Sequence, residues 1–60
     1  MKYDIGTLIQ DKVYPQDGLA IVIGHLGDYG YVLYSLQTGR TDSYERDYVD
    51  NECEKIQEDK

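Results

Sequence analysis

Apolar and polar positions alternate over short stretches of this 60-residue chain, and no segment keeps a helical period over a helix's usual length. Most of the strong β-forming sequence lies in two runs, 19–26 and 31–36, separated only by Gly27-Asp28-Tyr29-Gly30. Two such runs around a Gly-Asp turn predict a β-hairpin. Upstream, residues 6–13 alternate more weakly, with Leu8 and Ile9 apolar and Thr7 and Val13 β-branched, and suit a first strand. Tyr14-Pro15-Gln16-Asp17-Gly18 then makes a turn: Pro15 sets φ early, and Asp-Gly supplies a positive φ at its end. Gln37-Thr38-Gly39-Arg40 is a second hairpin turn, with Gly39 placed to take the left-handed conformation. Residues 40–44 follow as a short fourth strand, in which Thr41, Ser43 and the Tyr44 ring suit a half-buried face. A single helical turn over 45–49 and a last strand over 51–56 complete the path, and 57–60 read as a frayed tail. Five short strands joined by tight turns predict an all-β fold, a small antiparallel barrel in one domain spanning 1–60, with about 5–56 ordered.

Alternation divides the hairpin into two faces. Leu19, Ile21, Ile23, His25, Val32, Tyr34 and Leu36 form the more apolar face, which predicts the core there. Ala20, Val22, Gly24, Leu26, Tyr31, Leu33 and Ser35 form the other. A single bulge would reverse that partition, and Gly24 is the expected bend, with the Tyr31 ring lying across it.

A chain this short buries roughly 60% of the surface it exposes unfolded, which leaves a stability of only a few kcal/mol. Cys53 is the sole cysteine, so no intrachain disulfide forms, and a reducing compartment is expected. Met1-Lys2-Tyr3-Asp4 lacks the apolar run of a signal peptide. The longest apolar stretch, 19–23, is far too short to span a bilayer. A soluble cytoplasmic protein with no membrane partner is the expectation. Charge is unevenly placed: residues 1–41 sum to −1 and residues 42–60 to −5, within a total of −6. Phosphate backbones are held by clustered Lys and Arg. With only three scattered bases in each part, direct nucleic-acid binding is not expected.

The order Asp17-Gly18-Leu19-Ala20-Ile21-Val22-Ile23, a Gly-Asp turn, Tyr31-Val32-Leu33-Tyr34, Thr38-Gly39-Arg40-Thr41, then Tyr44-Glu45-Arg46-Asp47-Tyr48-Val49 resembles small SH3-like barrels. The pattern is similar to short stand-alone SH3-like proteins of bacteriophages and bacteria, over about residues 5–56. The resemblance implies a five-stranded SH3-like barrel with one helical turn before the last strand. A phage origin would imply a host protein as target, in the host cytoplasm. The chain departs from peptide-binding SH3 domains in having no Trp and too short a segment before its second strand for their acidic specificity loop. Polyproline recognition is therefore not expected.

Candidate chemistry is sparse. His25 and Cys53 are single residues without ligand spacing, so neither a metal site nor any other cofactor site is expected. His25 reads as a hairpin-end residue, and Cys53 as a semi-buried last-strand residue with no evident base to activate it. Gly24, Gly27 and Gly30 precede no helix whose N-terminus would hold a phosphate. A catalytic pocket is hard to build from so few residues, and the chain is read as a non-enzyme.

Seven tyrosines with no Phe or Trp are the compositional outlier. Tyrosine joins a large ring to a polar tip and suits half-burial and interfaces. Tyr34 and Tyr48 are expected partly in the core and Tyr3 over a barrel end, with Tyr14 and Tyr29 at loop tips. Tyr14, Tyr29, Asp42, Tyr44, Glu45 and Asp47 are the candidate binding residues, for another protein with a basic surface. Two alternatives stand beside this reading: a homo-oligomer pairing through an open strand edge, and a nucleic-acid mimic filling a basic groove.

Overall fold

The computed structural model describes residues 1–56, and the tail expected over 57–60 lies outside them. Among the described residues there are five strands: β1 (Leu8–Asp11), β2 (Leu19–Leu26), β3 (Gly30–Ser35), β4 (Thr41–Glu45) and β5 (Cys53–Lys55). A 3₁₀ turn, Pro15–Asp17, joins β1 to β2, and one helix, α1 (Arg46–Glu52), joins β4 to β5. The strands form one antiparallel sheet in the order β4-β3-β2-β1-β5. The sheet does not close. β4 and β5 are its two edges, and α1 packs against both and against β3.

Turn chemistry places most boundaries where the sequence puts them. Gly18 takes φ 82° and ψ −166°, and a Cβ there would lie 2.5 Å from Gln37 Oε1. Only glycine adopts that backbone readily. Gly39 takes φ 73°, the left-handed turn residue expected of it. Three elements differ in extent. β1 is shorter than residues 6–13, because the Asp11 carboxylate accepts the N–H groups of Val13 and Tyr14 and turns the chain out of the sheet. The helical segment runs to Glu52 rather than ending at residue 49, and β5 is correspondingly short.

The core lies on the hairpin face opposite to the one expected. Tyr3, Ile9, Val22, Tyr31, Leu33, Val49 and Cys53 are buried, with Ala20 and Tyr48 packed against them. Ile23, Tyr34 and Leu36 are 45%, 37% and 49% exposed. Val22 pairs with Leu33 and Gly24 with Val32, leaving Ile23 as an extra residue in β2. This bulge resets the alternation, so His25, opposite Tyr31, joins Val22 and Ala20 on the inner face. Tyr31 therefore lies across from His25, 5.3 Å between ring centroids and edge-on, and not across Gly24. The bend falls at Ile23, one residue before the expected Gly24.

One end of the inner face is closed by the chain's first residues. Tyr3 is 4% exposed and joins the core at that end. The Tyr3 hydroxyl donates to the Cys53 carbonyl at 2.9 Å, and its N–H donates to the Tyr31 hydroxyl at 3.0 Å. The Tyr31 hydroxyl donates in turn to Asp50 at 2.7 Å, and His25 Nε2–H donates to the Tyr3 carbonyl at 2.8 Å. Lys2 lies over the Tyr3 ring, 5.4 Å from its centroid, and donates to the Asp50 carbonyl. Burial, and the hydrogen bond to Asp50, push the Tyr31 phenol above its ordinary pKa, keeping it a donor. Side chains from β2, β3 and α1 thus converge with the N-terminal segment, and no buried side-chain polar atom among the described residues is left unpaired.

Candidate functional site

Because the sheet stays open, its inner face is uncovered toward β4, and a groove of about 510 Å³ results. That volume falls in the range of small-ligand and peptide-side-chain sites. It exceeds what so short a chain was expected to form, because the space lies between sheet edges rather than inside a closed core. Ile9, Ala20, Leu33, Val49 and Cys53 supply an apolar floor. Asp11, Asp17, Asp42 and Glu45 stand around it, with Arg40 the one cationic residue of the lining among the described residues. Tyr14, Tyr44 and Tyr48 add three aromatic rings.

Each wall has a local cause. On one side, Asp11 ends β1: its Oδ1 accepts Val13 N–H at 2.7 Å and Tyr14 N–H at 3.0 Å, and its Oδ2 accepts the Tyr48 hydroxyl. The last bond ties β1 to α1 and fixes a ring beside a carboxylate. On the other side, β4 is exposed at all five residues, so the half-buried face expected for Thr41, Ser43 and Tyr44 is not found. Among the described residues β4 pairs only with β3, and no strand lies along its outer side.

Titration reflects the same crowding of negative charge. Burial, then the charges of Asp42, Asp17 and Asp11, push the Tyr44 phenol above its usual value, so acids from three segments act on one ring. Burial alone would raise the Asp11 carboxyl, but hydrogen bonds from Tyr48, Tyr14 and Val13 hold it below its ordinary value. The Tyr48 phenol is correspondingly raised, first by its hydrogen bond to Asp11. Burial, with the charges of Asp11 and Glu52, pushes the Cys53 thiol up to about 11, so it stays protonated and unreactive near neutral pH.

A pH dependence follows from Asp11. A carboxyl with a depressed folded pKa stabilises fully above its unfolded value and loses that contribution as pH falls through the folded value. The urea midpoint is therefore expected to fall as pH drops below about 5, less steeply in Tyr48→Phe than in the parent. Superimposable midpoint-against-pH curves for the two proteins would remove the coupling.

The candidate residues divide between two places. Tyr14, Asp42, Tyr44 and Glu45 line the groove together. Tyr29 and Asp47 do not; they border a smaller cleft of about 190 Å³ with Asp28, Arg46 and the shared Glu45. Tyr29 is 72% exposed at the hairpin tip. Arg46 and Asp47 make an exposed ion pair at 3.8 Å, an arrangement that contributes little to stability. Sequence reasoning missed Asp11, Asp17, Tyr48 and the apolar floor. The acids of 42–50 stood out by density, whereas Asp11 and Tyr48 are 37 residues apart and meet only in the fold.

Among the described residues no three His, Cys, Asp or Glu side chains gather as a metal site, and no helix is long and apolar enough to cross a membrane. No protein-family model, curated protein or solved structure matches this chain.

Proposed function

We propose that this protein is a non-catalytic, acidic binding module of SH3-like type that takes a basic segment of another protein into the groove between β4 and the β1–α1 wall. The observation that carries this reading is the groove's make-up: an apolar floor, three tyrosines and four carboxylates against one arginine. Such a surface accommodates the aliphatic stem of a Lys or Arg while neutralising its head. The strand order and the helix between β4 and β5 support the SH3-like assignment, with the seam left open where a closed barrel would pair those strands. The thiol that reaches the groove stays protonated near neutral pH, which supports a non-enzymatic role.

The test is fluorescence anisotropy with a labelled ten-residue peptide rich in Lys and Arg, against an acidic peptide of equal length. Binding of the basic peptide alone is expected, weakened about tenfold by raising salt from 50 to 500 mM and about tenfold by Asp42→Lys. No binding, or binding indifferent to salt and to Asp42→Lys, would sink the reading. A dimer by light scattering that blocks the groove would point instead to self-assembly.

A further inference from the structure

β4 is one of the two edge strands, and among the described residues no strand pairs with its outer side. The Ser35 N–H donates to the Arg40 carbonyl at 2.8 Å, and the Arg46 N–H to the Tyr29 carbonyl at 2.8 Å. With the register Leu33↔Asp42 and Tyr31↔Tyr44, the ladder bonds to β3 fall at even-numbered residues of this strand. The N–H and C=O groups of Thr41 and Ser43 are therefore turned away from β3, toward the open side. Asp42, Ser43, Tyr44 and Glu45 all line the groove, although consecutive side chains point to opposite faces. The wall of the groove is the edge of the strand as well as one of its faces.

Exposed edges are usually blunted by Lys, Pro or a bulge. β4 reads Thr-Asp-Ser-Tyr-Glu and pairs without interruption, so it carries none of these. Its guard is negative charge alone. Asp42 and Glu45 oppose pairing with a second copy, which would bring two sets of the same acids into one short ladder between chains of charge −6. A basic strand meets no such barrier.

We infer that the basic partner binds by strand addition: an extended segment pairs along β4 through the backbone of Thr41 and Ser43. This rests on the groove reading above and specifies how the groove is filled. The added strand would lie roughly 4.8 Å outside β4. Every second side chain then points to the face that carries Asp42 and Tyr44, over the apolar floor and toward Asp11 and Asp17. The partner is thus a segment with Lys or Arg at alternating positions (i, i+2), extended when bound.

Backbone chemistry separates this from a side-chain-only mode. Two versions of the basic peptide, N-methylated at odd or at even positions, keep every side chain and remove alternate donors. One series is expected to lose at least tenfold in affinity and the other to bind within about threefold of the unmodified peptide. In the protein, the Ser43 amide is expected to exchange rapidly when free and at least tenfold more slowly with peptide bound. Ser43→Pro removes that outward donor without removing a ladder bond, and is expected to abolish binding while keeping the circular dichroism of the parent. Equal affinity for the two methylated series, with Ser43 exchange unchanged, would overturn strand addition while leaving the groove reading intact. Failure of the unmethylated peptide to bind would overturn both. Dimerisation lost in Ser43→Pro would give the edge to a second copy and overturn the basic occupant.

Discussion

Tyr31→Ala is expected to leave the chain largely unfolded at 25 °C. A domain of this length has roughly 3–9 kcal/mol of stability, and truncating a buried aromatic residue costs about 3–5 kcal/mol. Tyr31 is fully buried, and its hydroxyl joins the Tyr3 backbone to Asp50 of α1. Its loss empties the centre of the inner face and detaches the segment that closes one end. Tyr31→Phe separates the two contributions. It keeps the ring, but strands the buried Tyr3 N–H and removes a donor from Asp50, for an expected cost of about 1–3 kcal/mol. Urea titrations followed by circular dichroism measure both. An alanine variant within about 1 kcal/mol of the parent would show that the ring is not central to the core.

Ile9→Ala is the second large effect, at about 2–5 kcal/mol. Ile9 is 1% exposed and sits where β1 is paired on both sides, opposite Ala20 of β2 and Lys55 of β5. Loss of its side chain removes packing beneath Val49 and Cys53 and also lowers the groove floor. Stability and peptide affinity should therefore fall together. Leu36→Ser is the control: Leu36 is as apolar as Ile9 in sequence but half exposed, so its replacement should shift stability within about 0.5 kcal/mol. If the two substitutions cost the same by urea titration, the inner and outer faces have been assigned wrongly.

That pair of residues shows what the sequence could and could not reveal. Boundaries of β2 and β3 were legible because glycine punctuates them, and the three turns at 14–18, 27–30 and 37–40 carry residues with few backbone alternatives. The choice of face was not. Both parities of residues 19–36 are apolar enough to be buried, so alternation alone does not choose between them, and the bulge at Ile23 then carries His25 across to the inner face. Gly24 marked the vicinity of the bend without saying which neighbour would be extra. β4 was misjudged for a related reason: its Thr, Ser and Tyr fit a half-buried strand, but the seam beyond it is open. Half of the groove was visible as a dense acidic stretch beginning at Asp42. Its opposite wall depends on Asp11 meeting Tyr48, a long-range event with no local signature.

The contact between Tyr3 and Cys53 spans 50 residues, and the β1–β5 ladder joins segments nearly as far apart. Loop closure over such distances is slow compared with zipping a hairpin. The β2–β3 hairpin can form early from neighbouring residues, whereas Tyr3, Ile9 and Cys53 find their places only when the two ends of the sheet come together. Folding should accordingly run on a millisecond or slower scale despite the chain's small size, with the hairpin ahead of the closing step. On a ribosome, the N-terminal strand would have to wait for the residues around Cys53 to emerge before its inner face was covered.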